Sequence, residues 1–134
     1  MKGSCLCGEV RYEIVGAPIN FGFDHCSRCR KASGSAFMAE LICKTADFRW
    51  LAGESLVKKY ESPVREKPPG YARIFCSICG CNVPAIHGDR VFVPAGSLDD
   101  DPGIRPEAHI FVAYKAPWFE ITDRLPQFKR HPPY

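Results

Sequence analysis

Phe75-Cys76-Ser77-Ile78-Cys79-Gly80 is the stretch that most limits how this chain can fold. Two cysteines with two residues between them and a glycine next make a tight turn that offers both thiolates to one zinc ion. Structural zinc takes four ligands, so this turn is half a site. The matching half is Cys5-Leu6-Cys7-Gly8, whose glycine stands in the corresponding place. If Cys5, Cys7, Cys76 and Cys79 meet on one ion, the metal ties the start of the chain to its middle and closes everything between into a loop.

A chain of 134 residues is the usual size of one domain with a real hydrophobic core, so residues 1–134 are read as a single zinc-binding domain. The first residues, Met1-Lys2-Gly3-Ser4-Cys5, contain no apolar run like the core of a signal peptide, and no later segment has the length of a membrane span. The expected setting is therefore cytoplasmic, without a membrane partner. Eight cysteines in such a chain read as metal ligands sooner than as disulfides, because intracellular reductants keep thiols reduced. Net charge is +3, but the basic residues lie in short scattered groups and form no stripe, so nucleic acid is not an expected partner.

Residues 9–15 alternate, with Val10, Tyr12 and Ile14 on one side and Glu9, Arg11 and Glu13 on the other, the period of a half-buried strand. Further strand-like runs cover residues 19–23, 36–43, 48–50, 56–60, 71–75, 82–86 and 90–94, with a hairpin turn at His87-Gly88-Asp89. Between residues 19–23 and 36–43, residues 24–31 read as a loop or a short helical turn. Residues 62–70 carry three prolines and several charges and read as a surface loop. Asp99, Asp100 and Asp101 lack the spacing of a calcium loop and read as turn formers. Twelve prolines and eleven glycines at such intervals, with no long apolar stripe at helical spacing, predict a mainly β domain of short strands.

The order of motifs also carries a family resemblance. Cys5-Leu6-Cys7-Gly8-Glu9-Val10-Arg11-Tyr12, then Cys26-Ser27-Arg28-Cys29-Arg30-Lys31 with Ser33-Gly34, then Phe75-Cys76-Ser77-Ile78-Cys79-Gly80 resembles the glutathione-dependent formaldehyde-activating family, which includes a vertebrate centromere protein. Gly96-Ser97-Leu98-Asp99-Asp100, Pro106, His109-Ile110 and Ala116-Pro117-Trp118 extend the likeness into the C-terminal half. The resemblance implies an Mss4-like β fold with one structural zinc on Cys5, Cys7, Cys76 and Cys79 and a second zinc near the substrate. It places the family's Cys-x-Cys-x-x-Cys run on Asp24, Cys26 and Cys29, so a carboxylate replaces the first thiolate. The formal charge is kept, but the harder ligand should hold zinc less tightly.

That resemblance further implies a carbon–sulfur lyase-type reaction joining glutathione, or a related thiol, to formaldehyde or another small aldehyde. Asp24, Cys26 and Cys29 become the candidate catalytic residues; Arg28, Arg30 and Lys31 would anchor the carboxylates of glutathione, and His109 would line the pocket. Each has a plainer reading. Asp24 can cap a turn, the basic residues can form a solvated face, and the whole can be a zinc-stabilised binding module with a degenerate second site. The flanking positive charge favours thiolates at Cys26 and Cys29 in either case. His25 is expected to be a partly exposed loop residue, because alternation aims it away from Asp24 and Cys26. Cys43 and Cys81 read as small buried apolar residues, His87 and His131 as far from the ligands in sequence, and Phe111, Tyr114, Trp118 and Phe119 as core packing, with a wall of the substrate cleft as the alternative.

Overall fold

The computed structural model describes residues 1–66 and 69–132. Among these the chain forms ten short strands and one α-helix, so the mainly β expectation holds. Strands β1 (Lys2–Ser4), β2 (Arg11–Ile14) and β5 (Phe48–Ala52) make an antiparallel sheet in the order β1-β2-β5. A second sheet has the order β10-β3-β4-β9-β8, built from β3 (Asn20–Asp24), β4 (Met38–Lys44), β8 (Ala85–His87), β9 (Arg90–Pro94) and β10 (Ala108–Ile110). Its pairs are antiparallel except β10 on β3, which is parallel. Strands β6 (Val57–Glu61) and β7 (Ala72–Cys76) form a two-stranded ribbon.

The side-chain period of two divides the five-stranded sheet between two jobs. Leu41 lies opposite Val93, and Cys43 opposite Val91; these four are buried and pack with Tyr12 and Ile14 of the three-stranded sheet. Burying a side chain such as Leu41 contributes roughly 2 kcal/mol relative to leaving it in water. The other face of the same sheet presents Asp24 opposite Met38, Glu40 opposite Gly22 and Pro94, and Phe92 opposite Ile42 and Ala85. That face is the floor of a cavity.

The helix α1 (Ser27–Ser33) follows β3 directly and turns only Cys29 fully inward. Gly34 ends it in the left-handed conformation, with its N–H donated to the Arg30 carbonyl at 2.8 Å. Arg30 and Lys31 in the last turn oppose the negative end of its dipole. Seven residues are too few for an apolar stripe, which is why residues 24–31 read ambiguously in sequence. Among the described residues, no helix is long and apolar enough to cross a membrane.

The expected turn formers behave as such. Asp99 accepts the Ser4 hydroxyl, Asp100 accepts the Lys2 N–H at 2.7 Å, and Asp101 accepts the Gly103 N–H and pairs with Arg105. Of the expected surface loop, residues 62–66 and 69 are at or near the surface, Gly70 is buried, and Lys67 and Pro68 lie outside the described residues.

Candidate functional site

The two glycine-followed cysteine turns fold alike. The Cys5 N–H reaches the Val10 carbonyl at 3.0 Å and the Cys76 N–H reaches the Cys81 carbonyl at 2.9 Å, while Gly8 and Gly80 close the turns with left-handed φ of 78° and 74°. Each turn therefore aims two sulfurs at the same point. The ligand atoms of Cys5, Cys7, Cys76 and Cys79 all lie within 4.8 Å of one another. Cys5 Sγ is 3.5 Å from Cys7 Sγ, and Cys7 Sγ is 3.9 Å from Cys76 Sγ. These separations far exceed a covalent S–S bond of about 2.05 Å and match the edge of about 3.8 Å expected for four sulfurs around zinc. The Val10 N–H donates to Cys5 Sγ at 3.3 Å, and the Cys81 amide beside Cys79 lowers that thiol to about 6. The donor set thus fits a tetrahedral zinc.

A second convergence forms where β3 meets α1. One carboxylate oxygen of Asp24 and the sulfurs of Cys26 and Cys29 lie within 4.8 Å of one another. Asp24 Oδ1 accepts the Cys26 N–H at 2.8 Å, so the turn cap is real, and the second carboxylate oxygen remains for other use. Hydrogen bonding from Cys29 lowers Cys26 to about 4, with Arg28 adding to the effect, and the same shared proton raises Cys29. Burial raises Asp24. One thiolate, one thiol that can lose its proton to a metal and one carboxylate make a three-donor set that suits zinc with a fourth position left for another ligand.

This trio sits at one end of a cavity of about 450 Å³. Met38, Glu40, Pro94 and Phe92 on the sheet form its floor, and Tyr71 and Ile74 of the β7 region face them. Burial, and then the nearby Asp24, push the Glu40 carboxyl up to about 7. The Arg28 guanidinium lies 5.5 Å from the centre of the Tyr71 ring.

Residues 1–114 match the family described as glutathione-dependent formaldehyde-activating enzyme. The chain belongs to that family. A Halomonas elongata protein, provisionally named a glutathione-dependent formaldehyde-activating enzyme, is 30% identical over 129 residues, covering 92% of this chain and 82% of that protein. A crystal structure of a Rhodobacter sphaeroides protein shares the fold with a TM-score of 0.58 at 22% identity, covering 79% of this chain and 92% of that one.

The residues that the pattern of the formaldehyde-activating family assigns here are distributed unevenly. Asp24, Cys26, Cys29 and Arg28 line the cavity together. Arg30 and Lys31 do not; they border a shallower hollow with Trp118 on the other side of α1. His109 is also outside the cavity lining. Its Nδ1 is 2.7 Å from His25 Nε2 and its Nε2 is 2.9 Å from Asp123 Oδ2.

Several expectations are corrected by this arrangement. His25 is fully buried, because the parallel strand β10 covers the end of β3 and the Phe37 and Phe119 rings pack against the imidazole. His131 lies at the cavity wall beside Phe111, with ring centres 4.7 Å apart. The late aromatic stretch is split: Phe119 packs inward, whereas Tyr114 and Trp118 are exposed, Trp118 to 71%. Cys43 is buried as expected, and Cys81 packs half-buried beside the first cysteine cluster. Sequence reasoning missed Glu40 and Phe92. The available signal for Glu40 was a lone acid within the apolar run Ala36 to Cys43; Phe92 needed the register of β9 on β4.

Proposed function

We propose that this protein is a zinc-dependent carbon–sulfur lyase-type enzyme that reversibly joins glutathione, or a related thiol, to formaldehyde or another small aldehyde. The observation that carries the reading is the convergence of Asp24, Cys26 and Cys29 in the lining of the cavity, in a chain of the formaldehyde-activating family. In this reaction the thiol sulfur attacks the carbonyl carbon, a C–S bond forms, the C=O π pair moves onto oxygen, and the thiol proton ends on that oxygen. Zinc held by the trio would supply a Lewis acid able to favour a thiolate at neutral pH or to polarise the carbonyl.

The chain's own residues prepare the place. Cys26 and Asp24 supply negative charge that attracts a divalent cation, and Cys29 adds a second sulfur once its proton leaves. Arg28 stands beside Cys26 and can face a substrate carboxylate from the cavity wall. Arg30 and Lys31, on the outer side of the helix, would meet only a part of the thiol substrate that extends out of the cavity. The first cluster, Cys5, Cys7, Cys76 and Cys79, serves stability in this account: it clamps β7 to the start of the chain.

Titration of ¹⁵N-labelled protein with glutathione tests the reading. Amide shifts should concentrate at Cys26, Arg28 and Cys29. Shifts absent from these residues at millimolar glutathione would favour a zinc-stabilised binding module instead.

A further inference from the structure

The part of the cavity floor away from the trio carries apolar side chains that a one-carbon substrate would leave uncovered. Asp24 is paired with Met38, whereas Phe92 lies in the row of Ile42 and Asn20, four residues back along β3. At about 3.3 Å per residue the floor therefore runs roughly 13 Å away from the Asp24, Cys26 and Cys29 trio. Along it lie Met38, Glu40, Pro94 and Phe92, and Ile74 and Val83 also line the cavity. The apolar side chains among these gain free energy by shedding water against an apolar ligand group, and a hydroxymethyl group has almost no such surface.

We propose that the carbonyl substrate is an aldehyde with an extended apolar substituent, an alkyl chain or an aromatic ring, which lies over Met38, Pro94 and Phe92 while its carbonyl carbon meets the thiol at the trio. The idea rests on the thiol–aldehyde reading above and names the substrate class for it. The C–S bond still forms at the carbonyl carbon and the thiol proton still ends on oxygen, so only the group attached to that carbon differs. Specificity then comes from the sheet floor, since each buried methylene is worth roughly fourfold in affinity.

Stable thioethers separate binding from chemistry. S-hexylglutathione and S-methylglutathione share the glutathione part and differ by five methylenes, so calorimetric titration of the purified chain with each reads the apolar room directly. S-hexylglutathione should bind at least tenfold tighter, and Phe92→Ala should cut that advantage at least threefold. Equal binding of the two would overturn the apolar-substituent proposal while leaving the thiol–aldehyde reading in place. Binding of neither would overturn both. A hexyl advantage untouched by Phe92→Ala would also overturn it, because the chain would then lie elsewhere.

Discussion

His25 Nε2 and His109 Nδ1 stand 2.7 Å apart in a buried pair whose outer end is tied to Asp123. With His109 neutral, the hydrogen-bond order assigns the tautomers. The Asp123 carboxylate accepts from His109 Nε2–H, so neutral His109 offers a lone pair at Nδ1 and His25 donates from Nε2. His25 Nδ1 is then a bare, buried lone pair without a partner. The pair locks β10 to the loop that carries Cys26, and Phe23 and Phe37 pack around it.

Burial, reinforced by His109, lowers His25 from 6.5 to about 4. An unfolded chain takes up this proton as pH falls through 6.5, while the folded chain resists until about 4. Stability from this group is therefore complete above 6.5 and lost on acidification across that window, on the order of 3 kcal/mol once the window is crossed. NMR titration of the His25 ring should show no protonation between pH 7 and 5.5. A midpoint near 6.5 would contradict the buried pair.

Glu40 acts with the opposite sign. Its folded value of about 7 exceeds the ordinary 4.5, so the folded form keeps a proton that the unfolded form loses, and stability falls as pH rises from 4.5 to 7. Glu40→Gln should stabilise the protein by about 1–3 kcal/mol at pH 8 and by much less at pH 4.5. Urea unfolding at the two pH values checks this; equal effects at both would show that the carboxyl is not held protonated.

How much of this was legible in sequence depended on whether the information was local. Strand β2 was readable because Tyr12 and Ile14 alternate with Arg11 and Glu13, and the convergence of Cys5, Cys7, Cys76 and Cys79 because two short cysteine turns each carry their own glycine. His25 was misread because the covering strand β10 arrives from 84 residues away, and a parallel pairing of that range leaves no trace in the neighbours of His25. Trp118 was misread for a related reason: aromatic residues favour cores on average, yet its turn faces water beside Arg30 and Lys31. The cavity floor is a register effect. Nothing in residues 36–43 alone says which face of β4 meets the core.

The Cys5, Cys7, Cys76 and Cys79 cluster should carry one tightly held zinc. Cys76→Ser removes a fully buried thiolate from a site worth on the order of 10 kcal/mol, more than the net stability of most domains of this size. The variant should be unfolded or insoluble. Gly80→Ala, which strains a φ of 74° without a steric clash, should cost only about 1 kcal/mol. Elemental analysis that finds no zinc in folded wild-type protein would remove the structural role.

Asp24→Cys should raise zinc retention at the second cluster, since a third thiolate replaces a harder carboxylate. Zinc per chain after dialysis should rise toward two in the variant and lie below two in the wild type. Full and equal occupancy in both would show that the carboxylate holds the metal as well as sulfur does.

The most direct measurement is the exchange rate between ¹³C-formaldehyde and its glutathione adduct, followed by NMR with zinc-supplied wild type and Cys26→Ser. Wild type should accelerate exchange at least tenfold over the uncatalysed reaction. Cys26→Ser should fall to the background rate while keeping the zinc of the first cluster and its thermal transition. Equal acceleration by both proteins would contradict the assignment of the chemistry to the Asp24, Cys26 and Cys29 site.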